Sequence, residues 1–109
     1  MASKFVKIVV FVPETDADNV RTALGKAGAG GIGKYSNCSF SSKGIGRFQP
    51  EQGANPRIGT IGQIEAVAEE RIETICDRAQ LAAVVAAMKA AHPYEEVAYD
   101  VYALENEMY

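Results

Sequence analysis

The sharpest cluster of polar side chains in the sequence surrounds a proline near the C-terminal end. His92 precedes Pro93, and Glu95 and Glu96 follow after one tyrosine. An imidazole and two carboxylates can bind a divalent metal ion, and a His-Pro turn can hold them close together. His92, Glu95 and Glu96 are therefore a candidate metal site. The alternative is a turn that ends a helix, with both carboxylates in solvent, which is the commoner origin of such short motifs.

A basic segment with two glycines is the second candidate site. It contains Lys43, Gly44, Gly46 and Arg47. Glycine lets backbone N–H groups approach an anion closely, and basic side chains add positive charge. The segment has no Walker A or dinucleotide-binding fingerprint, so it does not indicate that the ligand is a nucleotide. We interpret these four residues as a candidate site for a small anion, with a flexible basic arm for self-assembly as the alternative.

Charge is distributed unevenly along the chain. The net charge is −3 over 109 residues, which argues against nucleic acid as a partner. Residues 28–62 hold four basic residues, one acidic residue and nine of the ten glycines, so this window carries +3 and the remainder −6. No apolar run reaches the roughly 18 residues of a membrane-spanning helix, and no signal-peptide pattern is present. With two cysteines, we expect a cytoplasmic protein with reduced thiols and no membrane association.

Hydrophobic patterning predicts four strands. The first covers 4–12 and is apolar on both faces, so it should be central and covered on both sides. One of its faces carries Val6, Ile8, Val10 and Val12, and the other carries Phe5, Val9 and Phe11. The other strands are predicted at about 34–41, 64–76 and 97–104, with a short helical turn over 65–70 as the alternative for the start of the third. Asp100 within the last strand indicates an edge position.

Two helices are predicted between these strands. The first has Thr15 as its N-cap and ends at Gly28, which tolerates the left-handed backbone. The second has Asp77 as its N-cap and must end near His92, because Pro93 cannot continue a helix. Its apolar stripe has helical spacing and consists of Leu81, Val84, Val85 and Met88. The remaining stretch, at about 42–62, is predicted to be a long Gly/Pro-rich arm.

The predicted order β-α-β-β-α-β is that of an α+β ferredoxin-like sandwich. Right-handed crossovers place strands one and three at the centre of a four-stranded antiparallel sheet, with both helices on one face. We expect residues 1–109 to form this single domain. Two helices leave the second face bare although strand one is apolar on both sides. A second copy of the sheet is the simplest cover, so we expect a homo-oligomer.

Three segments together resemble a known protein family. They are KYSNCSF at 34–40, GIGRFQP at 44–50 with GANPRIG at 53–59, and HPYEEVAYD at 92–100. They resemble the inserted domain of the Nif-three-like (NGG-interacting-factor-like) dinuclear-metal proteins, here in a free-standing version. That domain is similar to CutA and PII-like trimeric proteins, so the resemblance implies a ferredoxin-like fold and favours a trimer over a dimer. The larger family holds its metals in a flanking domain rich in His, Asp and Glu. This chain has a single histidine, so no catalytic site is carried over.

These observations favour a non-catalytic, oligomeric ligand-sensing or regulatory module of the CutA/PII-like type. Its ligand would be a divalent metal ion or a small anion, and a protein partner is also compatible with this role. The alternative is a small metal-dependent hydrolase that acts on a phosphate or nucleotide substrate through His92, Glu95 and Glu96. A base–nucleophile pair and a known cofactor fingerprint are both missing from the sequence, which favours the binding role.

Overall fold

The computed structural model describes residues 3–106 and shows four strands and two helices. In chain order they are β1 (Phe5–Pro13), α1 (Ala17–Lys26), β2 (Phe40–Phe48), β3 (Glu65–Asp77), α2 (Leu81–Ala91) and β4 (Tyr99–Leu104). A short 3-10 turn leads into each helix. The predicted ferredoxin-like order is confirmed. Within the described range, neither helix is long and apolar enough to cross a membrane.

Neighbouring strands are antiparallel, in the order β2-β3-β1-β4. β1 and β3 are therefore central, as predicted, and β4 is an edge strand in agreement with the exposed Asp100. β1 pairs with β3 along its whole length, from Phe5 opposite Asp77 to Pro13 opposite Glu69. This register places Glu69 beside the end of β1, where the candidate site lies.

The core lies between the sheet and the two helices, which pack on the same face. Side chains in a strand alternate between faces, so every second residue of the central strands points to the helices. The predicted stripe of α2 faces the core, with Leu81 and Val85 partly buried at its margin. The fully buried larger side chains of this core are Val6, Ile8, Val10, Val12, Val20, Ile72, Val84 and Met88.

Three of the four predicted helix-end signals are confirmed and one is wrong. α2 ends at Ala91 with His92 as its C-cap, as predicted. Gly28 has a φ of 111° just beyond α1, as expected of a C-terminal glycine cap. The Asp77 carboxylate accepts a hydrogen bond from the Ala79 N–H at 2.9 Å, in the turn that begins α2. Thr15 is not the N-cap of α1. Its hydroxyl donates to the Asp16 carboxylate, and Asp16 directly precedes the helix.

The second strand lies later in the chain than predicted. The sequence predicts it at about 34–41, whereas β2 covers Phe40–Phe48 and pairs with β3 along its whole length. Residues 34–39 lie in a turn region in which Asn37 has a left-handed φ of 59°. A residue with that backbone conformation does not continue a strand, so β2 begins only after it.

The predicted arm at 42–62 is shorter, because β2 occupies its first residues. Gly44 and Gly46 lie within β2, because strand pairing uses backbone groups that glycine also has. The connection that remains is the long loop, residues 49–64, which joins β2 to β3. Three glycines in the long loop have positive φ values, so they form turns inside it.

The sheet surface opposite the helices, which we call the open face, is covered partly by the chain itself. Val9 is fully buried on this face. Lys7 and Arg71 both approach the Glu73 carboxylate, at 3.7 and 3.5 Å, so ion pairs cross the middle of the face. Phe11 lies near the end of β1 and lines a cleft beneath two loops. The open face therefore needs less cover from a second copy than the sequence implied.

His92 ends α2 and fixes the following loop to the sheet. Its side chain is buried, and its Nε2 lies 2.7 Å from the carbonyl oxygen of Phe11. The Tyr94 N–H donates to its Nδ1 at 3.2 Å. Because that N–H can only donate, Nδ1 accepts, and the proton lies on Nε2 and points to Phe11. Both ring nitrogens are therefore used in structural hydrogen bonds.

A His92→Ala substitution should destabilise the fold. It removes both hydrogen bonds and leaves the Phe11 carbonyl without its partner, so we expect the free energy of unfolding to fall by about 1–3 kcal/mol. Urea denaturation measures this loss. In the unmodified chain, ¹⁵N spectra of the imidazole at mildly alkaline pH should show the Nε2–H tautomer. Loss of that pattern when one equivalent of Zn²⁺ is added would contradict the structural role and support a metal site instead.

Candidate functional site

A cleft of about 520 Å³ lies between the open face and two loops. The loops are the long loop and the His92 loop, which comprises residues 92–98. Strand residues such as Phe11, Phe48 and Glu69 line the cleft, and Tyr94 and Glu95 line it from the His92 loop. This volume is in the range of small-molecule sites in proteins. The rim is charged, whereas much of the lining is aromatic or aliphatic.

Glu69 is a buried carboxylate in this cleft, with only 8% of the residue exposed. It lies in β3 between Pro13 of β1 and Gly44 of β2. The Tyr94 hydroxyl donates a hydrogen bond of 3.4 Å to its Oε2. Its other carboxylate oxygen lies over Gly46, where a Cβ atom would overlap it. Glycine at position 46 therefore makes room for the carboxylate.

Tyr94 connects the carboxylate to the aromatic part of the cleft. Its ring packs edge-on against Phe48, with centroids 5.5 Å apart, and tilts against His92 at 5.2 Å. Burial, and then the negative charge of Glu69, raise the pKa of Tyr94 to about 12. Both causes disfavour the phenolate, because a buried anion loses hydration and a nearby anion repels it. Tyr94 therefore remains a hydrogen-bond donor at neutral pH.

Direct hydrogen bonds hold the two loops around the cleft. The Asn55 N–H of the long loop donates to the Glu95 Oε1 of the His92 loop at 2.9 Å. The long loop is closed on itself by the Gly62 N–H, which donates to the Pro50 carbonyl at 2.8 Å. Pro50 is buried. These contacts give a preformed cleft in which both loops depend on each other.

The candidate metal residues do not converge on one point. His92 uses both ring nitrogens in backbone hydrogen bonds. Glu95 and Glu96 line the cleft and are exposed. Across residues 3–106, no three His, Cys, Asp or Glu side chains are arranged to hold a metal ion. A metal ion at Glu95 and Glu96 stays a prediction. His92 is not available as a third ligand in this arrangement, because both of its ring nitrogens are used.

The four candidate anion residues lie in a strand and not in a loop that cradles a ligand. Lys43 points away from Gly44 and Gly46 because neighbours in a strand alternate faces, and its Nζ lies 3.8 Å from a Glu14 carboxylate oxygen. Of the four, Gly46 and Arg47 line the large cleft. Lys43, Gly44 and Gly46 also line a smaller neighbouring cleft, together with Arg71 and Glu69. An anion site on the four candidate residues stays a prediction, and in the large cleft the basic groups near it are those of Arg47 and Arg57.

Glu69 and Tyr94 are site residues that the sequence motifs do not indicate. They are 25 positions apart and meet only when β3 and the His92 loop are folded together. The pair Glu69-Glu70 does carry a signal. Two consecutive residues of a strand face opposite sides of the sheet, so one of these two carboxylates must lie on the open face. Glu70 faces the helices and accepts from Arg21 at 2.6 Å. Its neighbour must therefore face the open side, where no helix supplies a basic partner.

No protein-family model matches the chain, but longer proteins contain a closely similar segment. A protein of Halalkalibacterium halodurans named GTP cyclohydrolase 1 type 2 homolog is 60% identical over 101 residues, which is 93% of this chain. The Bacillus subtilis protein of the same name is 54% identical over 92% of the chain. The match covers 27% of each relative, so this chain spans about a quarter of their length.

Solved structures show the same similarity. A Bacillus cereus protein related to NIF3 is 55% identical, with a TM-score of 0.83, over 97% of this chain and 27% of its own length. CutA from Archaeoglobus fulgidus is 20% identical, with a TM-score of 0.66, over 93% of this chain and 84% of its own. B. subtilis GlnK is 14% identical, with a TM-score of 0.63, and covers 94% of this chain and 87% of its own length.

The last two similarities show the fold alone, which is the CutA/PII-like form of the ferredoxin-like sandwich. The high sequence identity to the longer relatives shows common ancestry over nearly the whole chain. The chain is therefore homologous to one segment of the longer NIF3-related proteins, about a quarter of their length, and this segment has the CutA-like fold.

Proposed function

We propose that this chain is a non-catalytic, oligomeric regulatory module that binds a small molecule in the cleft. The observation that carries the proposal is the preformed cleft of about 520 Å³, held by the Asn55–Glu95 hydrogen bond between its two loops. A cleft that exists before binding reduces the entropy that a ligand must overcome. The CutA-like and PII-like fold and the family relationship are compatible with such a role.

Hydrolysis is the weaker alternative. The curated relatives carry a GTP cyclohydrolase 1 type 2 homolog name, but they are much longer than the matched segment. A metal-dependent hydrolase built on this chain would need His92 to leave the Phe11 carbonyl and the Tyr94 N–H. The buried ring has no spare nitrogen for a metal. We therefore favour binding over catalysis at this cleft.

Two ligand classes from the sequence remain part of the proposal. A divalent cation would use the exposed carboxylates of Glu95 and Glu96, completed by water, because hard cations prefer oxygen ligands. A small anion would use the guanidinium groups of Arg47 and Arg57, which can each donate two parallel hydrogen bonds. All four side chains belong to residues that line the cleft.

A thermal-shift screen tests the binding role directly. The panel should contain divalent metal salts, phosphate and nucleotides, carboxylates and organic amines. We expect at least one compound to raise the melting temperature, because a ligand that binds only the native state stabilises it by mass action. Ala54→Trp should abolish the shift by filling the cleft from the long loop. Ala82→Trp, on the exposed side of α2, is the matched control and should keep it.

A panel in which no compound shifts the melting temperature would contradict the binding role. Equal shifts in the unmodified chain and in Ala54→Trp would place the ligand outside the cleft. Turnover of a nucleotide by the purified chain, lost in His92→Ala without loss of folding, would instead support the hydrolase alternative.

Self-association is supported by apolar side chains that the chain leaves uncovered on the open face. Phe40 on the β2 edge is 68% exposed and Tyr102 on the β4 edge is 51% exposed. Both point to the open face, since Phe40 pairs with Glu73 and Tyr102 with Lys7. Burial of such side chains against another copy is favourable by about 1.5–3 kcal/mol each. We propose three copies in preference to two, by analogy with the CutA-like fold.

Sedimentation equilibrium at micromolar concentration tests this assembly. The expected mass is three times 11.7 kDa. Tyr102→Glu should weaken the assembly, because it places a charge on the surface that we expect to be buried. Tyr35→Glu is the matched control, since Tyr35 is 76% exposed in the turn region outside the sheet, and it should leave the mass unchanged. A stable monomer would contradict self-association, and a dimer would contradict only the trimer.

A further inference from the structure

Glu69 has an unusual environment for a buried carboxylate. Among residues 3–106 it is the one acidic side chain that is more than nine-tenths buried, and within that range no basic group lies within 4.0 Å of it. Its hydrogen bond from Tyr94 is long, at 3.4 Å. Buried charges in proteins are normally paired, because burial removes their hydration. The carboxylate therefore lacks the cationic partner that such a position usually has.

Aromatic rings surround the same part of the cleft. Phe11, Phe48 and Tyr94 all line it, and the Phe48 and Tyr94 rings meet edge to face. The faces of such rings attract cations as well as apolar groups. The Arg71 guanidinium already lies 5.8 Å from the centroid of Phe11. The lining thus suits a ligand that combines positive charge with apolar surface.

The balance of charge in the cleft also favours a cation. Four acidic residues and two basic residues line it, and all of them except Glu69 are exposed. Arg47 and Arg57 are exposed, so water and salt screen their charges. Glu69 is buried, so its charge is screened less. The strongest charge that a ligand meets inside the cleft is therefore negative.

We infer that the cleft takes an organic cation: a ligand with a positively charged nitrogen joined to an apolar body. The nitrogen binds the Glu69 carboxylate, and the apolar body packs against Phe48 and Tyr94. This inference rests on the proposed binding role of the cleft and specifies its ligand class. It makes Glu69 the specificity-determining residue, a role that the sequence motifs around Lys43 and His92 did not indicate.

Two glycines in β2 provide a matched pair of variants. A Cβ atom at position 46 would overlap the Glu69 carboxylate, so Gly46→Ala should push this side chain out of place. A Cβ atom at position 44 would have no atom within 4 Å. Neither glycine is among the residues with positive φ, so alanine suits the backbone at both positions. Gly44→Ala is therefore the control for the change in strand propensity.

The test is an NMR titration of the full chain with three probes of similar shape: phenethylamine, phenethyl alcohol and phenylacetate. Phenethylamine should shift the amide signals of Phe48 and Tyr94. The alcohol should bind about tenfold more weakly or worse, because it lacks the charge-assisted hydrogen bond. Glu69→Gln and Gly46→Ala should weaken phenethylamine binding to the same extent. Gly44→Ala should bind it like the unmodified chain.

Several outcomes would overturn the inference. If phenylacetate binds more tightly than phenethylamine, or if Glu69→Gln keeps full affinity for the amine, the ligand class is wrong while the cleft remains a binding site. If none of the probes shifts signals from the cleft, the inference is wrong regardless of the thermal-shift screen. If the screen also finds no ligand, the proposed binding role fails with it.

Discussion

A buried carboxylate is the constraint on which the candidate site depends. Burying Glu69 costs free energy unless its environment compensates for the lost hydration. Compensation comes from the Tyr94 hydroxyl, and the missing side chain at Gly46 provides the space. These three residues belong to β3, the His92 loop and β2. The carboxylate therefore links three separate parts of the chain at one point.

The rest of the cleft follows from the way Tyr94 is held. His92 ends α2 and binds both the Phe11 carbonyl and the Tyr94 N–H, so it ties the His92 loop to β1. That tie sets the position of the Tyr94 ring against Phe48. His92, the residue type most suited to catalysis, thus has a structural role: it positions the donor that contacts Glu69.

The fold was predictable from the sequence where periodicity was strong. The apolar pattern on both faces of β1 and the apolar stripe of α2 predict these two elements correctly, because burial imposes a regular spacing on apolar residues. β2 was misplaced because it is glycine-containing and largely exposed, so its pairing with β3 leaves little trace in side-chain pattern. The same shift places Gly44 and Gly46 in that strand instead of in a loop, and the anion site proposed for them stays a prediction.

The site was harder to predict than the fold, because its contacts join distant positions. Nothing local marks Glu69 and Tyr94 as neighbours, and the open face becomes a cleft only when the long loop and the His92 loop meet. Their meeting point is a backbone N–H of Asn55 and a carboxylate of Glu95. Almost every residue type has a backbone N–H, so the sequence does not show that Asn55 donates this hydrogen bond. The resemblance to NIF3-related proteins implied the architecture but did not point to these side chains.

The ionisation of Tyr94 tests most directly whether the buried Glu69 carboxylate organises the cleft. Absorbance titrations of the unmodified chain and of Tyr94→Phe give the Tyr94 curve by difference. We expect a pKa of about 12 for Tyr94. In Glu69→Gln this pKa should fall but stay above the usual value for tyrosine, because burial, the larger cause, remains. An ordinary tyrosine pKa in the unmodified chain, or one that Glu69→Gln leaves unchanged, would contradict this role of Glu69.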